Sequence, residues 1–169
     1  MRRLLDPACA GGTEPPAQYV THDGGVHWPT FYLGAPATLL AVDPANPEIV
    51  LLGTSLPASQ GGGLLVSTDG ATSFHEADLE TPDIANVALW YDWSVSFDPA
   101  GTLAIVGTLA GVYAAPAKAL GGPCHDVRGN AVSRVFTGVA WSGGNLYAST
   151  TGEGVLEVSS TEISTAVGR

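Results

Sequence analysis

Two stretches of the chain gather side chains suited to chemistry. In Leu89-Trp90-Tyr91-Asp92-Trp93, three aromatics flank a carboxylate. Flat apolar rings beside an acceptor suit sugar rings, which present C–H faces and peripheral hydroxyls. The plainer alternative is that Trp90 and Trp93 fill space between sheets, with Asp92 in a turn. The second stretch, Gly121-Gly122-Pro123-Cys124-His125-Asp126-Val127-Arg128-Gly129-Asn130, brings His125, Asp126 and Arg128 close in sequence. A histidine next to an aspartate could serve as an acid–base pair, but adjacent side chains seldom point together. An irregular, solvated loop is the favoured reading there. His22, His27 and His75 show no metal-ligand spacing, so neither a metal nor a cofactor is expected. Glu76, Asp78, Glu80 and Asp83 read as a solvated acidic edge.

Composition narrows what can position these residues. The chain has 169 residues, Lys+Arg 6 against Asp+Glu 16, and a net charge of -10. Six scattered cations cannot build the basic face that nucleic acid requires. With 45% hydrophobic and 13% charged residues, the chain is too apolar to be disordered. With 22 Gly and 12 Pro, it is too often interrupted for a helical bundle. No apolar run approaches the roughly 18 residues of a membrane span. Met1-Arg2-Arg3-Leu4-Leu5 opens like a signal peptide, but Asp6 and Pro7 end the apolar stretch. The compartment stays open, extracellular or periplasmic if the chain is part of an exported protein. Cys9 and Cys124 form no disulfide framework or zinc knuckle; either two free thiols or one long-range bridge is compatible with them.

The elements come from an internal repeat. Ala41-Val42-Asp43-Pro44-Ala45 precedes Ile49-Val50-Leu51-Leu52-Gly53-Thr54. Ser96-Phe97-Asp98-Pro99-Ala100-Gly101 precedes Leu103-Ala104-Ile105-Val106-Gly107-Thr108, and Val139-Ala140-Trp141-Ser142-Gly143-Gly144 precedes Asn145-Leu146-Tyr147-Ala148-Ser149-Thr150. Each copy reads as strand, tight turn, strand. A third strand follows each, at Gly63–Ser67, Gly111–Ala115 and Gly154–Val158. A period of about 40–50 residues built from short antiparallel strands predicts an all-β fold of β-propeller-type blades.

A second motif sits on this repeat. Thr21-His22-Asp23-Gly24-Gly25-Val26-His27-Trp28 and Ser67-Thr68-Asp69-Gly70-Ala71-Thr72-Ser73-Phe74 align residue for residue. They resemble the Asp-box, or BNR repeat, of sialidases, sortilin-type receptors, xyloglucanases and photosystem-assembly propellers. The matching positions are Thr21, Asp23, Gly25 and Trp28 in the first copy, and Ser67, Asp69 and Phe74 in the second. The second departs from the pattern with Ala71 for Gly and Phe74 for Trp. The resemblance implies a structural turn between the third and fourth strands of a blade, remote from any active site. An Asp heading such a turn accepts from nearby amides, and the aromatic is expected to pack between sheets.

The expected blades are 17–34 (partial), 37–79, 87–124 and 134–167, about three and a half in one domain, whereas closed propellers need four or more. Three arrangements reconcile this: a piece of a longer propeller, which the mid-blade start favours; two copies completing a ring; or a small ring closed by the N-terminal strands. Sialidase activity does not carry over with the resemblance. Arg2, Arg3 and Arg169 are terminal, leaving Arg128 and Arg134, so no three-arginine clamp forms. No catalytic residue is assigned. The favoured function is a non-catalytic scaffold for a protein or glycan partner, self-association included. The alternative is a segment of a glycoside-hydrolase-like propeller, of sialidase or xyloglucanase type, whose catalytic residues lie elsewhere. The ligand end is expected where the loops between blades and between second and third strands converge.

Overall fold

A computed structural model describes residues 17–32, 36–54, 63–77, 94–108, 111–120, 124–127 and 136–168. Thirteen strands and one helix follow in chain order among them. Strands β1 (Ala17–Tyr19) and β2 (Thr30–Tyr32) form a two-stranded sheet. Strands β3 (Ala37–Val42), β4 (Val50–Thr54), β5 (Leu64–Ser67) and β6 (His75–Glu76) form a four-stranded sheet in sequence order. A second such sheet comprises β7 (Ser94–Phe97), β8 (Leu103–Gly107), β9 (Val112–Pro116) and β10 (His125–Asp126). The last sheet has three strands: β11 (Phe136–Ser142), β12 (Asn145–Thr150) and β13 (Val155–Ser159). All neighbours pair antiparallel. Among the described residues no helix is long and apolar enough to cross a membrane.

Strand periodicity explains why the sheets stack. Successive side chains of a strand point to opposite faces, so a strand apolar throughout must be covered on both sides. In the middle sheet, Ala104, Val106, Tyr113 and Ala115 face one core with Ile49, Leu51, Leu64 and Val66 of the preceding sheet. Leu103, Ile105, Val112 and Ala114 face another with Phe136, Leu146 and Ala148 of the following sheet. Burying one such side chain as completely as Ile105 contributes roughly 1.5–3 kcal/mol. The first strands of successive sheets, β3, β7 and β11, are neighbours, so the sheets radiate from one line.

The turns between first and second strands fit together across sheets. Asp43 and Asp98, 2% and 7% exposed, each cap their own turn. Asp43 accepts from Ala45 N at 2.8 Å. Asp98 accepts from Thr102 N at 2.6 Å, Leu103 N at 2.7 Å and the Thr102 hydroxyl at 2.9 Å. In the last sheet a two-residue turn replaces the Asp-Pro turn. Gly143 and Gly144 both take positive φ, as a hairpin with the right twist demands.

One element departs from the all-strand reading of 134–167. Helix α1 (Ser160–Val167) follows β13 directly. Ser159 caps it, accepting from Glu162 N, while the Glu162 carboxylate accepts from Ser159 N in a capping box. Ile163, fully buried, seats the helix on the core shared by the middle and last sheets, and α1 also touches β9 and β10. The fourth strand of the middle sheet is a second difference. His125–Asp126 is not an irregular loop but a short strand, paired with Ala114 and Tyr113. Val127 N bonding Val112 O and the burial of Val127 hold it there.

The Asp98 turn meets the Asp43 turn of the neighbouring sheet at Gly101, whose φ of +64 is left-handed. A Cβ there would lie 2.1 Å from Asp43 Oδ1 and 2.5 Å from Ala45 Cβ. Both the dihedral and the contact exclude a side chain. Gly101→Ala is expected to lower the unfolding free energy by about 2–4 kcal/mol in a denaturant titration. A loss within error of zero would show that the two turns do not pack this closely.

Candidate functional site

The two ends of the sheets are built with different chemistry. At the end holding the first-to-second and third-to-fourth strand turns, carboxylates organise the backbone. Between β1 and β2, Asp23 Oδ1 accepts from Val26 N at 3.0 Å and His27 N at 2.9 Å. Between β5 and β6, Asp69 Oδ1 accepts from Thr72 N at 3.0 Å and Ser73 N at 2.9 Å. The hydroxyl two residues earlier completes each turn. Thr21 Oγ1 accepts from Gly25 N at 2.8 Å, and Ser67 Oγ from Ala71 N at 2.9 Å. The same hydroxyls donate to Asp23 and Asp69 at 2.9 and 2.8 Å. The second carboxylate oxygen meets His27 Nδ1 in one turn and the Ser73 hydroxyl in the other. The two turns lie side by side, since a Cβ on Gly70 would sit 3.8 Å from His22 Cε1.

These hydrogen bonds stabilise the ionised carboxylates. Asp23 is lowered to about 2, first by the His27 amide and next by the His27 side chain. Asp69 is lowered to about 2, first by the Ser73 hydroxyl and next by the Ser73 amide. Such groups stay charged and serve as fixed acceptors, a role unlike that of a proton donor at neutral pH.

The aromatics differ from expectation. Trp28 does not fill the space between sheets; it is 50% exposed and folds over its own turn. Its indole N–H donates to Gly25 O at 3.0 Å, and its ring stands 3.6 Å from where a Gly25 Cβ would be. The replacement of Gly25 by Ala71 in the second copy also has a cost, since Ala71 holds φ +65, in the region where its Cβ crowds the backbone.

At the opposite end, each second-to-third strand connection is closed by a threonine–glycine clasp. Thr54 N donates to Gly63 O at 3.0 Å, and Gly63 N to Thr54 Oγ1 at 2.6 Å. Thr108 and Gly111 repeat this at 2.8 and 3.1 Å. In the last sheet Thr150 N donates to Gly154 O at 2.8 Å, and Glu153 N to Thr150 Oγ1 at 2.8 Å. The Gly-Thr and Ser-Thr strand ends were visible in the repeat; the bonds across the connection were not. This is the end at which β3, β7 and β11 begin, so Ser94, the first residue of β7, stands at it.

Of the expected ligand residues, His125 and Asp126 fall among those described. Trp90, Tyr91, Asp92, Trp93 and Arg128 lie outside the described residues. His125 and Asp126 are successive strand residues, so their side chains leave opposite faces of the sheet and do not form a pair. Cys124 is a free thiol, half-buried among apolar neighbours, and burial pushes it up to about 11, out of the reactive range. Among the described residues no group of three or more His, Cys, Asp or Glu could hold a metal ion.

Among solved structures the chain is similar to the crystal structure of an ancestral GH74 enzyme, with a TM-score of 0.60 at 18% identity. The alignment covers 85% of this chain and 20% of the enzyme. The sheets are propeller blades. At this identity the likeness speaks for the fold alone, and the chain spans a fifth of the length of the enzyme it matches. No protein-family model matches the chain, and no curated protein matches it in sequence.

Two outcomes are expected of the Asp turns. Ala71→Gly relieves the left-handed strain and should raise stability by about 0.5–1 kcal/mol, less than the strain itself because glycine also loosens the unfolded chain. Denaturant midpoints check this. Because Asp23 and Asp69 fall from the ordinary 3.8 to about 2 on folding, their contribution is complete above pH 4 and disappears as pH drops towards 2. Melting curves should therefore decline over that interval, and Asp69→Asn should flatten the decline.

Proposed function

We propose that the chain is a non-catalytic part of a glycan-binding, glycoside-hydrolase-like propeller, and that it binds and presents rather than cleaves. The observation that carries this reading is the shared fold over 85% of the chain with part of a GH74 enzyme. Binding is favoured over cleavage by how the carboxylates are used. Asp23, Asp43, Asp69 and Asp98 all accept backbone N–H groups in turns. Hydrolysis instead needs two carboxylates facing one glycosidic bond.

In this reading the turns headed by Asp23 and Asp69 are Asp-box turns with a structural role. The blades are 17–34, 37–79, 87–124 with β10 carrying the outer strand on to Asp126, and 134–167. The loop end carries the ligand, with Trp90, Tyr91 and Trp93 offering apolar faces to sugar rings and Asp92 an acceptor; Arg128, with His125 and Asp126 at the outer strand of the same blade, adds polar contacts. The second reading makes the chain a segment of a propeller enzyme whose catalytic groups lie elsewhere. The 20% coverage of the GH74 enzyme favours it.

Affinity electrophoresis through a gel containing hydroxyethyl cellulose tests the proposal. Retarded migration is expected, with no release of reducing ends. Trp90→Ala with Trp93→Ala should abolish retardation while the strand circular dichroism persists. Unretarded migration on every neutral glucan tried would overturn the binding role. Release of reducing ends would overturn its non-catalytic part.

A further inference from the structure

The three larger sheets share one ladder as far as the third strand and then end differently. In the first of them β6 closes the edge of β5. Leu64 O accepts from Ala77 N at 2.9 Å, and Val66 pairs with His75. In the middle sheet β10 closes the edge of β9 in the same register. Val112 O accepts from Val127 N at 2.9 Å, and Ala114 pairs with His125. Each of these pairs of edge residues lies one and three positions after the clasp glycine. In β13 the same positions, counted from Gly154, are Val155 and Glu157.

The direction of their backbone groups follows from the ladder. Thr150 N bonds Gly154 O and Ser160 N bonds Gly144 O, so Leu156 and Val158 between them bond β12. The amides and carbonyls of Val155 and Glu157 therefore point to the other edge of β13. Among the described residues no strand meets them there. Chain course is the reason. β6 and β10 come from the residues that follow β5 and β9, whereas those that follow β13 form α1, which turns back to β9 and β10. Val155 is accordingly 65% exposed, against 2% for Val112 at the matching place.

We propose that this edge takes an extended segment of another polypeptide as an antiparallel fourth strand, with a Lys or Arg opposite Glu157 and an apolar residue opposite Val155. The filled edges supply the pattern. His75-Glu76-Ala77 and His125-Asp126-Val127 both run polar, acidic, apolar, and Ala77 and Val127 are buried. An apolar third residue would likewise cover the exposed Val155. The first position is where the last sheet differs, because Glu157 stands where β5 has Val66 and β9 has Ala114. The Glu157 carboxylate accepts from the Tyr147 hydroxyl at 3.1 Å and from the Asn145 amide, both neutral donors. Among the described residues no cation meets it. An opposite charge across the strands answers that need, and the net charge of -10 draws a basic segment in. A second copy of β13 is the poorer occupant, since joining two such edges brings Glu157 carboxylates together. Main-chain bonds to Val155 and Glu157 would give affinity, and the two side chains selectivity.

Nuclear magnetic resonance of the ¹⁵N-labelled chain with the end-blocked peptide Thr-Lys-Thr-Val-Thr tests this. In the free protein the Val155 and Glu157 amides should exchange with solvent quickly and those of Leu156 and Val158 slowly. Saturating peptide should slow the first pair and shift β13. Methylating the peptide's valine nitrogen removes the donor to Val155 O and should abolish binding. Replacing its lysine by glutamate should weaken binding about tenfold. Glu157→Lys should reverse that preference, and an otherwise unchanged spectrum reports that this exposed variant folds. A spectrum unmoved by the peptide would overturn the proposal, as would binding indifferent to the methyl group. Slow exchange of Val155 and Glu157 in the dilute free protein would show the edge filled by the chain itself. Slowing that grows with protein concentration would assign it to a second copy. Either result overturns the proposal, and none of these outcomes bears on the glycan reading, which concerns the loop end.

Discussion

A sheet with apolar residues on both faces cannot exist alone in water, and the middle sheet is of that kind. Ile105 and Val112 on one side and Val106 and Tyr113 on the other each need a neighbouring sheet to leave solvent. The rest of the architecture answers that need. Neighbours can cover both faces only if the sheets radiate, and β3, β7 and β11 are consequently adjacent. The close approach brings the Asp98 turn onto the Asp43 turn, where only a residue without a side chain fits. The helix belongs to the same solution. Ile163 fills the outer part of the core between the last two sheets.

The polar groups follow a division between the two ends. At one end, ionised aspartates gather backbone amides that would otherwise lack partners. Asp23, Asp69 and Asp98 are each held by several donors. At the other end, threonine hydroxyls do the equivalent work without charge, giving and receiving across the mouth of each connection. A chain rich in acid residues and poor in basic ones can afford buried or half-buried carboxylates because amides, rather than salt bridges, neutralise their demand.

The repeat was the most legible feature of the sequence. The strand–turn–strand phrase around Asp43, Asp98 and Gly143 placed the first two strands of each main sheet, since alternation and turn chemistry are both local. Three features were harder to read. Helix α1 begins at Ser159-x-x-Glu162, a capping signal that the preceding strand pattern overshadowed. His125–Asp126 looked like a loop because a two-residue strand has no periodicity, and its identity comes from the partner strand. Trp28 looked like a core residue by type, yet its position is set by a hydrogen bond within its own turn.

The clasps separate framework from variation. The intervals they close, 55–62, 109–110 and 151–153, differ fourfold in length, yet a threonine N–H bonded to a glycine carbonyl shuts each one. Strand registry is insulated from whatever sequence is inserted beyond the threonine. Such a platform lets connections of new length be spliced in without refolding the blades beneath them.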